Sequence, residues 1–461
     1  MADRKSVIPW TRLKAFLFSD KTAGRVPWAM AGILLAYALL FYFRLSFADD
    51  LDLIPLMEKY DAGALSLKDF FLAHRESHFH AGAYFLLVPL MILTGWNNLW
   101  GVVLNAFLLI LSHQALSRHL RRMAFSGDDA MKWAAALTAF FLFSLDQAGN
   151  LLSSWQIAVF MNLFATVAGI VLFSREELHY GHFFPGVFCA AVAVYNFSTG
   201  LALLPTLGLM LVFHPEPTRR RRVVMILLWL AFSMALAFHF KTAVLAGAGH
   251  TDMSTGSKMA FVLIYSLKYL GSSISRYASD WVIPFSAAGL FFAAAQVRLL
   301  MVRFKTPILP LMAPLAMMAY ALVVSLITAL GRLAFDTDQA LVSRYISFSN
   351  FFWLGLCLMG VMALSRIKEA KRPVVWMKTD ARKIIFRFLL ILILMKTGNI
   401  VQVAHKTAGT SLQNQALRHR LIDSYPHAAP KDLKSFYPFG PETARRYLDY
   451  LHERKTHLFR K

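Results

Sequence analysis

The sequence predicts an all-α fold, a polytopic transmembrane helical bundle of about 11 spans with interfacial helices in its first outer loop. Three observations predict it. Of the 461 residues, 57% are hydrophobic and only 16% are charged. The apolar residues arrive in repeated blocks of about 20, the length a helix needs to cross a hydrocarbon core. Between those blocks the basic residues form short clusters, as in cytoplasmic loops. The net charge of +22 therefore reads as a topology signal, and nucleic acid is not an expected partner.

Taken in order, the expected spans are 26–47, 98–117, 132–148, 155–173, 184–197, 201–213, 223–247, 281–300, 307–330, 346–365 and 384–404. The first is too long for a signal-peptide core and lacks a small-residue cleavage site, so it is expected to stay attached. Cys189 and Cys357 both sit in apolar blocks and read as small buried hydrophobes. With the N-terminus cytoplasmic, the inner segments hold 26 Lys plus Arg. The short outer loops hold eight: Lys59, Lys68, Arg75, Lys258, Lys268, Arg276, Arg332 and Arg344. That asymmetry sets the orientation.

The same count decides two ambiguous segments. A crossing at 81–94 would put Arg118, Arg121 and Arg122 outside. At about 14 apolar residues, and followed by Gly95-Trp96-Asn97-Asn98-Leu99-Trp100, this stretch reads as interfacial. The argument extends to 259–274. The outer face then carries two sizeable elements, 48–97 and 248–280, which roof a cavity. Composition changes again over the last 57 residues, His405 to Lys461, which hold eleven Lys plus Arg and four prolines between helical stretches. Parity puts this small helical tail outside, apart from a membrane domain over 1–404.

Polar residues gather at the outer ends of these spans. Asp49, Asp50 and Asp52 follow the first span directly, and His74-Arg75-Glu76-Ser77-His78-Phe79-His80 follows soon after. Later come Asp146, Gln147, Asn150, Trp155 and Gln156, then Tyr195, Asn196, Ser198 and Thr199, then Arg332, Asp336, Asp338, Gln339, Ser343, Arg344 and Tyr345. Carboxylates and amides hydrogen-bond sugar hydroxyls, while arginine forks onto phosphate oxygens, so this mixture suits a sugar joined to a phosphate. Carboxylates at a span mouth are costly to desolvate, which argues for a site.

An acidic pair after the first span, a long first outer loop and a body of about eleven spans resembles the C-superfamily of glycosyltransferases, which use polyprenyl-phosphate-linked sugars. The motifs Ala48-Asp49-Asp50-Leu51-Asp52-Leu53-Ile54-Pro55, His-Arg-Glu-Ser-His at 74–78, Asn150 to Gln156, Asn196-Phe197-Ser198-Thr199-Gly200 and Asp338 to Tyr345 are similar to a bacterial group placed near that superfamily. Where that group often has an Asn-Glu-His-Arg-like run, this chain has Arg75-Glu76-Ser77-His78.

The resemblance implies a bacterial inner-membrane enzyme working on the extracytoplasmic side, with a polyprenyl-phosphate sugar as donor, a glycan or lipid as acceptor, and membrane lipids around it. Asp49 or Asp50 would be the base that takes the acceptor hydroxyl proton in an inverting transfer. Arg344, with Arg332, would stabilise the departing phosphate. Glu76, His78, His80, Gln156, Asn196 and Tyr345 would bind substrate. A divalent cation is the one candidate cofactor: Glu76, His78 and His80 could hold it, since His78 and His80 could co-ligate from an extended segment, or could instead orient sugar hydroxyls.

Each expectation has a plainer rival. Asp49 or Asp50 could cap a helix starting near 51. The histidine run could be a solvated turn. Arg344 could anchor its span to lipid phosphates. Asn150, Gln156 and Asn196 read more readily as bonds between helices, the Arg219 to Arg222 run as topology, and Lys241 and Lys396 as side chains snorkelling outward. A lipid-linked oligosaccharide flippase, a polysaccharide polymerase or ligase and a non-catalytic scaffold are the competing function classes.

Overall fold

The computed structural model describes residues 20–74, 78–123, 125, 128–215, 218–244, 253–369 and 375–459. Helix α1 (Asp20–Phe41) leads through a 3-10 turn (Ala48–Leu53) to α2 (Ile54–Asp61). A short antiparallel hairpin of β1 (Ala73–His74) and β2 (His78–Phe79) sets His74 opposite His78. Then follow α3 (Ala81–Thr94), α4 (Leu99–Met123) and α5 (Asp128–Leu142). An irregular connector over 143–156 contains a 3-10 turn (Leu145–Gln147) and the short α6 (Ala148–Leu151). The chain continues through α7 (Ile157–Phe173), α8 (Tyr180–Asn196), α9 (Leu203–Phe213), α10 (Arg219–Val244), α11 (Thr255–Ser275), α12 (Ser279–Arg298), α13 (Ile308–Leu330) and α14 (Ser343–Glu369). It closes with α15 (Val375–Asp423), α16 (Pro430–Phe436) and α17 (Pro441–Glu453).

Each expected span overlaps a helix among the described residues, although 132–148 runs past its helix, which ends at Leu142, and residues 245–247 of the seventh lie outside the described residues; the fold is all-α. Among the described residues seven helices, α1, α4, α10, α12, α13, α14 and α15, are long and apolar enough to cross a membrane. The others expected to cross, α5, α7, α8 and α9, have 15, 17, 17 and 11 residues. At about 1.5 Å per residue these are shorter than a hydrocarbon core of about 30 Å. The segment 81–94 is the 14-residue α3, ended by Gly95, whose φ of 62° a side chain would resist.

Helix α14 is the axis of the bundle. Its apolar window is 94% buried, and Phe351, Phe352 and Trp353 fill the space against α13, α12 and α5 with no exposure. A helix apolar on all sides has no solvent face to keep, which is why it can be enclosed. A second, smaller core joins α2, α3 and Trp155 to the end of α15, α16 and α17.

Two expectations are corrected, the end of the first span and the fate of Lys396. The first helix stops at Phe41 rather than running to 47, because the backbone of 43–46 bonds to other elements: Phe43 N to Leu152 O at 3.1 Å and both polar groups of Leu45 to Asn414 at 3.0 and 3.1 Å. The composition change at 405 falls within α15, which is one helix of 49 residues. The tail then folds back on the first loop, with Arg446 3.8 Å from Glu58 and His457 N 2.6 Å from Gly95 O. Lys396 does not snorkel; it is fully buried and paired with Asp146. A buried ammonium needs such a partner.

Candidate functional site

The extended segment before the acidic turn is held in place by side chains. Trp96 Nε1 donates to Ser46 Oγ at 2.8 Å, Ser46 Oγ to Asn98 Oδ1 at 3.0 Å, and Asn98 Nδ2 to Phe43 O at 3.1 Å. Ala48 follows with a φ of 49°, a left-handed backbone that costs an alanine about 1 kcal/mol. This bend delivers the two adjacent carboxylates to different surroundings.

Asp50 points into protein. It is 4% exposed, and its Oδ1 accepts from Trp155 N at 3.0 Å, Ser153 Oγ at 3.2 Å and Ser154 Oγ at 3.3 Å. Burial pushes its carboxyl up to about 6, opposed by the amides of Trp155 and Phe47 and assisted by the neighbouring Asp49 charge. Asp49 is accessible, with 20% of its side chain exposed, and its Oδ2 lies 3.6 Å from Nη2 of Arg344, whose side chain is 49% exposed. Arg344 sits in the first turn of α14, which Asn150 holds. Asn150 Nδ2 reaches Ser347 Oγ at 3.0 Å, Arg344 O at 3.3 Å and Ser343 O at 3.4 Å.

Beside this pair, Asp52 accepts from Tyr437 Oη at 2.9 Å and lies 3.4 Å from His74 Nε2. The ring of His74 stands 5.0 Å from His80 and from Trp155, and 5.8 Å from His78. His78 packs against Phe197 at 4.8 Å. His80 is 1% exposed, and neither ring nitrogen has a hydrogen-bond partner among the described residues. Burial above all, then the positive fields of His78, His74 and Arg344, holds its pKa well below the usual histidine range. His80 is therefore a neutral imidazole at physiological pH.

The ligand atoms of Asp49, Asp52 and His74 lie within 4.8 Å of one another, a donor set of two carboxylates and one imidazole able to take a divalent metal. That set differs from the expected Glu76, His78 and His80. Glu76 lies outside the described residues.

The remaining expected residues divide. Gln156 sits half-buried at the N-terminus of α7, next to the Trp155 amide that holds Asp50. Tyr345 is buried, its ring 5.0 Å from Tyr269. Asn196 is also buried; it donates to Val192 O at 2.7 Å, and a side chain on Gly82 would strike it, so it serves the α3–α8 contact. Arg332 lies over the Phe335 ring at 5.2 Å.

Sequence reading missed Ser153, Ser154, Asn98 and Tyr437. The run Ser153-Ser154-Trp155-Gln156, polar and between two apolar blocks, was the available signal for the first two. Nothing local marks Tyr437, 385 residues from its partner. Comparison with family models, curated proteins and solved structures finds no match to this chain.

Proposed function

We propose that the chain is an integral membrane glycosyltransferase that moves a sugar from a polyprenyl-phosphate donor to a cell-envelope glycan or lipid. The observation that carries this reading is the accessible Asp49 carboxylate 3.6 Å from the half-exposed Arg344 guanidinium, with a ring nitrogen of His74 within 4.8 Å of that carboxylate. In the proposed step Asp49 takes the proton of an acceptor hydroxyl whose oxygen attacks the anomeric carbon. The bond from that carbon to the phosphate oxygen breaks, and the polyprenyl phosphate leaves with the electron pair. Arg344 offers a fixed cation to the charge that develops there, and a phosphate leaving group needs no proton. Attack from the face opposite the leaving group inverts the anomeric configuration. Asp50 acts behind Asp49 as the anchor of the turn, because its Oδ1 is already occupied by three donors.

With this function go eleven spans, a cytoplasmic N-terminus, and a site and tail on the outer face of a bacterial inner membrane. A second reading, a lipid-linked oligosaccharide flippase, is favoured by one observation: Lys396 and Asp146 form a wholly buried ion pair, and charges inside membrane bundles commonly mark transport paths. The test is the purified protein in proteoliposomes, offered labelled polyprenyl-phosphate sugars and envelope extract. The proposal expects a transferred sugar of inverted anomeric configuration. Retained configuration, or donor translocated without transfer, would contradict it.

A further inference from the structure

The buried cation of α15 has no place in the mechanism above. Lys396 Nζ pairs with Asp146 Oδ2 on the connector and donates to Asn350 Oδ1 on α14 at 2.6 Å, with the Phe141 ring 5.2 Å away. Both charged side chains have zero exposure. Such pairs add little net stability, because desolvation offsets the attraction, and they are better suited to fixing how elements meet. Here the second carboxylate oxygen, Asp146 Oδ1, is buried with no hydrogen-bond partner among the described residues.

The connector runs from this pair directly to the candidate site. Gln147, next to Asp146, accepts from Ser347 Oγ at 2.8 Å. Asn150 binds the same hydroxyl and the carbonyls of Ser343 and Arg344. A Cβ at Gly149 would come within 3.0 Å of Ser343 Oγ, so the connector lies flush against the first turn of α14. At its far end the same connector supplies the three donors to Asp50. One 14-residue segment thus grips the turn carrying Asp49 and the turn carrying Arg344.

We propose that Lys396 and Asp146 are positioning residues: by clamping the connector to α14 and α15, they hold Arg344 at the distance from Asp49 that a lipid-linked phosphate requires. This rests on the reading of Arg344 as the phosphate-binding group.

The test is binding of a long-chain polyprenyl phosphate to the full chain in nanodiscs, with the matching uncharged polyprenol as control, for Arg344→Ala, Lys396→Met, Lys396→Arg and Asn150→Ala. Arg344→Ala is expected to raise the phosphate Kd about tenfold or more, the worth of a charge-assisted bond. Lys396→Met and Asn150→Ala are expected to raise it about fivefold while leaving polyprenol binding unchanged, and Lys396→Arg to restore it. Wild-type phosphate affinity in both Lys396→Met and Asn150→Ala, with Arg344→Ala impaired, would overturn the positioning role and leave the functional reading intact. Wild-type affinity in Arg344→Ala would overturn both. Should Lys396→Met fail to fold, the double variant Asp146→Asn with Lys396→Met, which removes both buried charges, is read in its place with the same expected rise.

Discussion

Two linkers at the same end of the bundle carry similar polar residues and behave differently. The connector from 143 to 156, between α5 and α7, buries Asp146, Gln147 and Asn150 to 1% exposure or less and uses them to bind α14 and α15. The linker from 331 to 342, between α13 and α14, also bonds to another helix, with Tyr265 and Lys268 of α11 donating to Gln339 at 3.4 Å and Thr337 at 2.8 Å, but it leaves its carboxylates exposed. Asp336 accepts from Asp338 N at 2.8 Å, and Asp338 pairs with Lys268 at 2.6 Å while 66% exposed. Both segments read alike in sequence, as polar clusters at span ends. The difference teaches that burial of the bonded groups, rather than polarity or a partner on another helix, marks the scaffold of a site: buried polar groups are costly unless bonded, so each bond fixes geometry.

The sharpest way to break the comparison is to test one arginine from each neighbourhood. Arg344→Ala is expected to lower sugar transfer about 100-fold, the scale of removing one preorganised charge from a leaving group. Arg332→Ala, stacked on Phe335, should stay within about threefold. Equal losses would erase the distinction between the two linkers.

A smaller effect concerns the carboxylate the connector holds. Asp50 has a folded pKa raised from 3.8 to about 6. The folded state thus favours its protonated form, so its contribution to stability is most favourable below about 3.8 and is lost as pH rises through about 6. Above that pH the ionised, buried group costs on the order of 3 kcal/mol. Asp50→Asn, whose amide oxygen can still accept from Ser153, Ser154 and Trp155, should therefore raise the thermal midpoint relative to wild type at pH 8 and lose that advantage at pH 4.5. A gap independent of pH would show that burial does not set this titration.

The least effect separates the linkers by stability. Asn150→Ala should cost about 1 to 2 kcal/mol, because it leaves a buried hydroxyl and two carbonyls short of a donor. Asp338→Ala should cost less than about 0.5 kcal/mol, as exposed ion pairs do. Midpoints of thermal unfolding in detergent check both.

Much of the fold was legible. Apolar blocks located every helix that carries an expected span, and the acidic turn stood out because three carboxylates followed an apolar block. Local pattern could not choose between Asp49 and Asp50, whose surroundings diverge because Asp50 accepts from Ser153, Ser154 and Trp155, more than 100 residues on, while Asp49 faces Arg344. Nor could it pair Lys396 with Asp146, 250 residues away. An isolated lysine in an apolar block is read by its neighbours in sequence, whereas its fate depends on which helix packs beside it. Arg332 is a further residue whose surroundings local pattern did not give: its guanidinium lies over the Phe335 ring.

The most direct test of the account is transfer of a labelled sugar from the accepted polyprenyl-phosphate donor by wild type and Asp49→Asn, with donor binding measured alongside. The account predicts a loss of about 100-fold or more in transfer, the reach of general base catalysis, while donor binding is retained. Wild-type transfer by Asp49→Asn would contradict it.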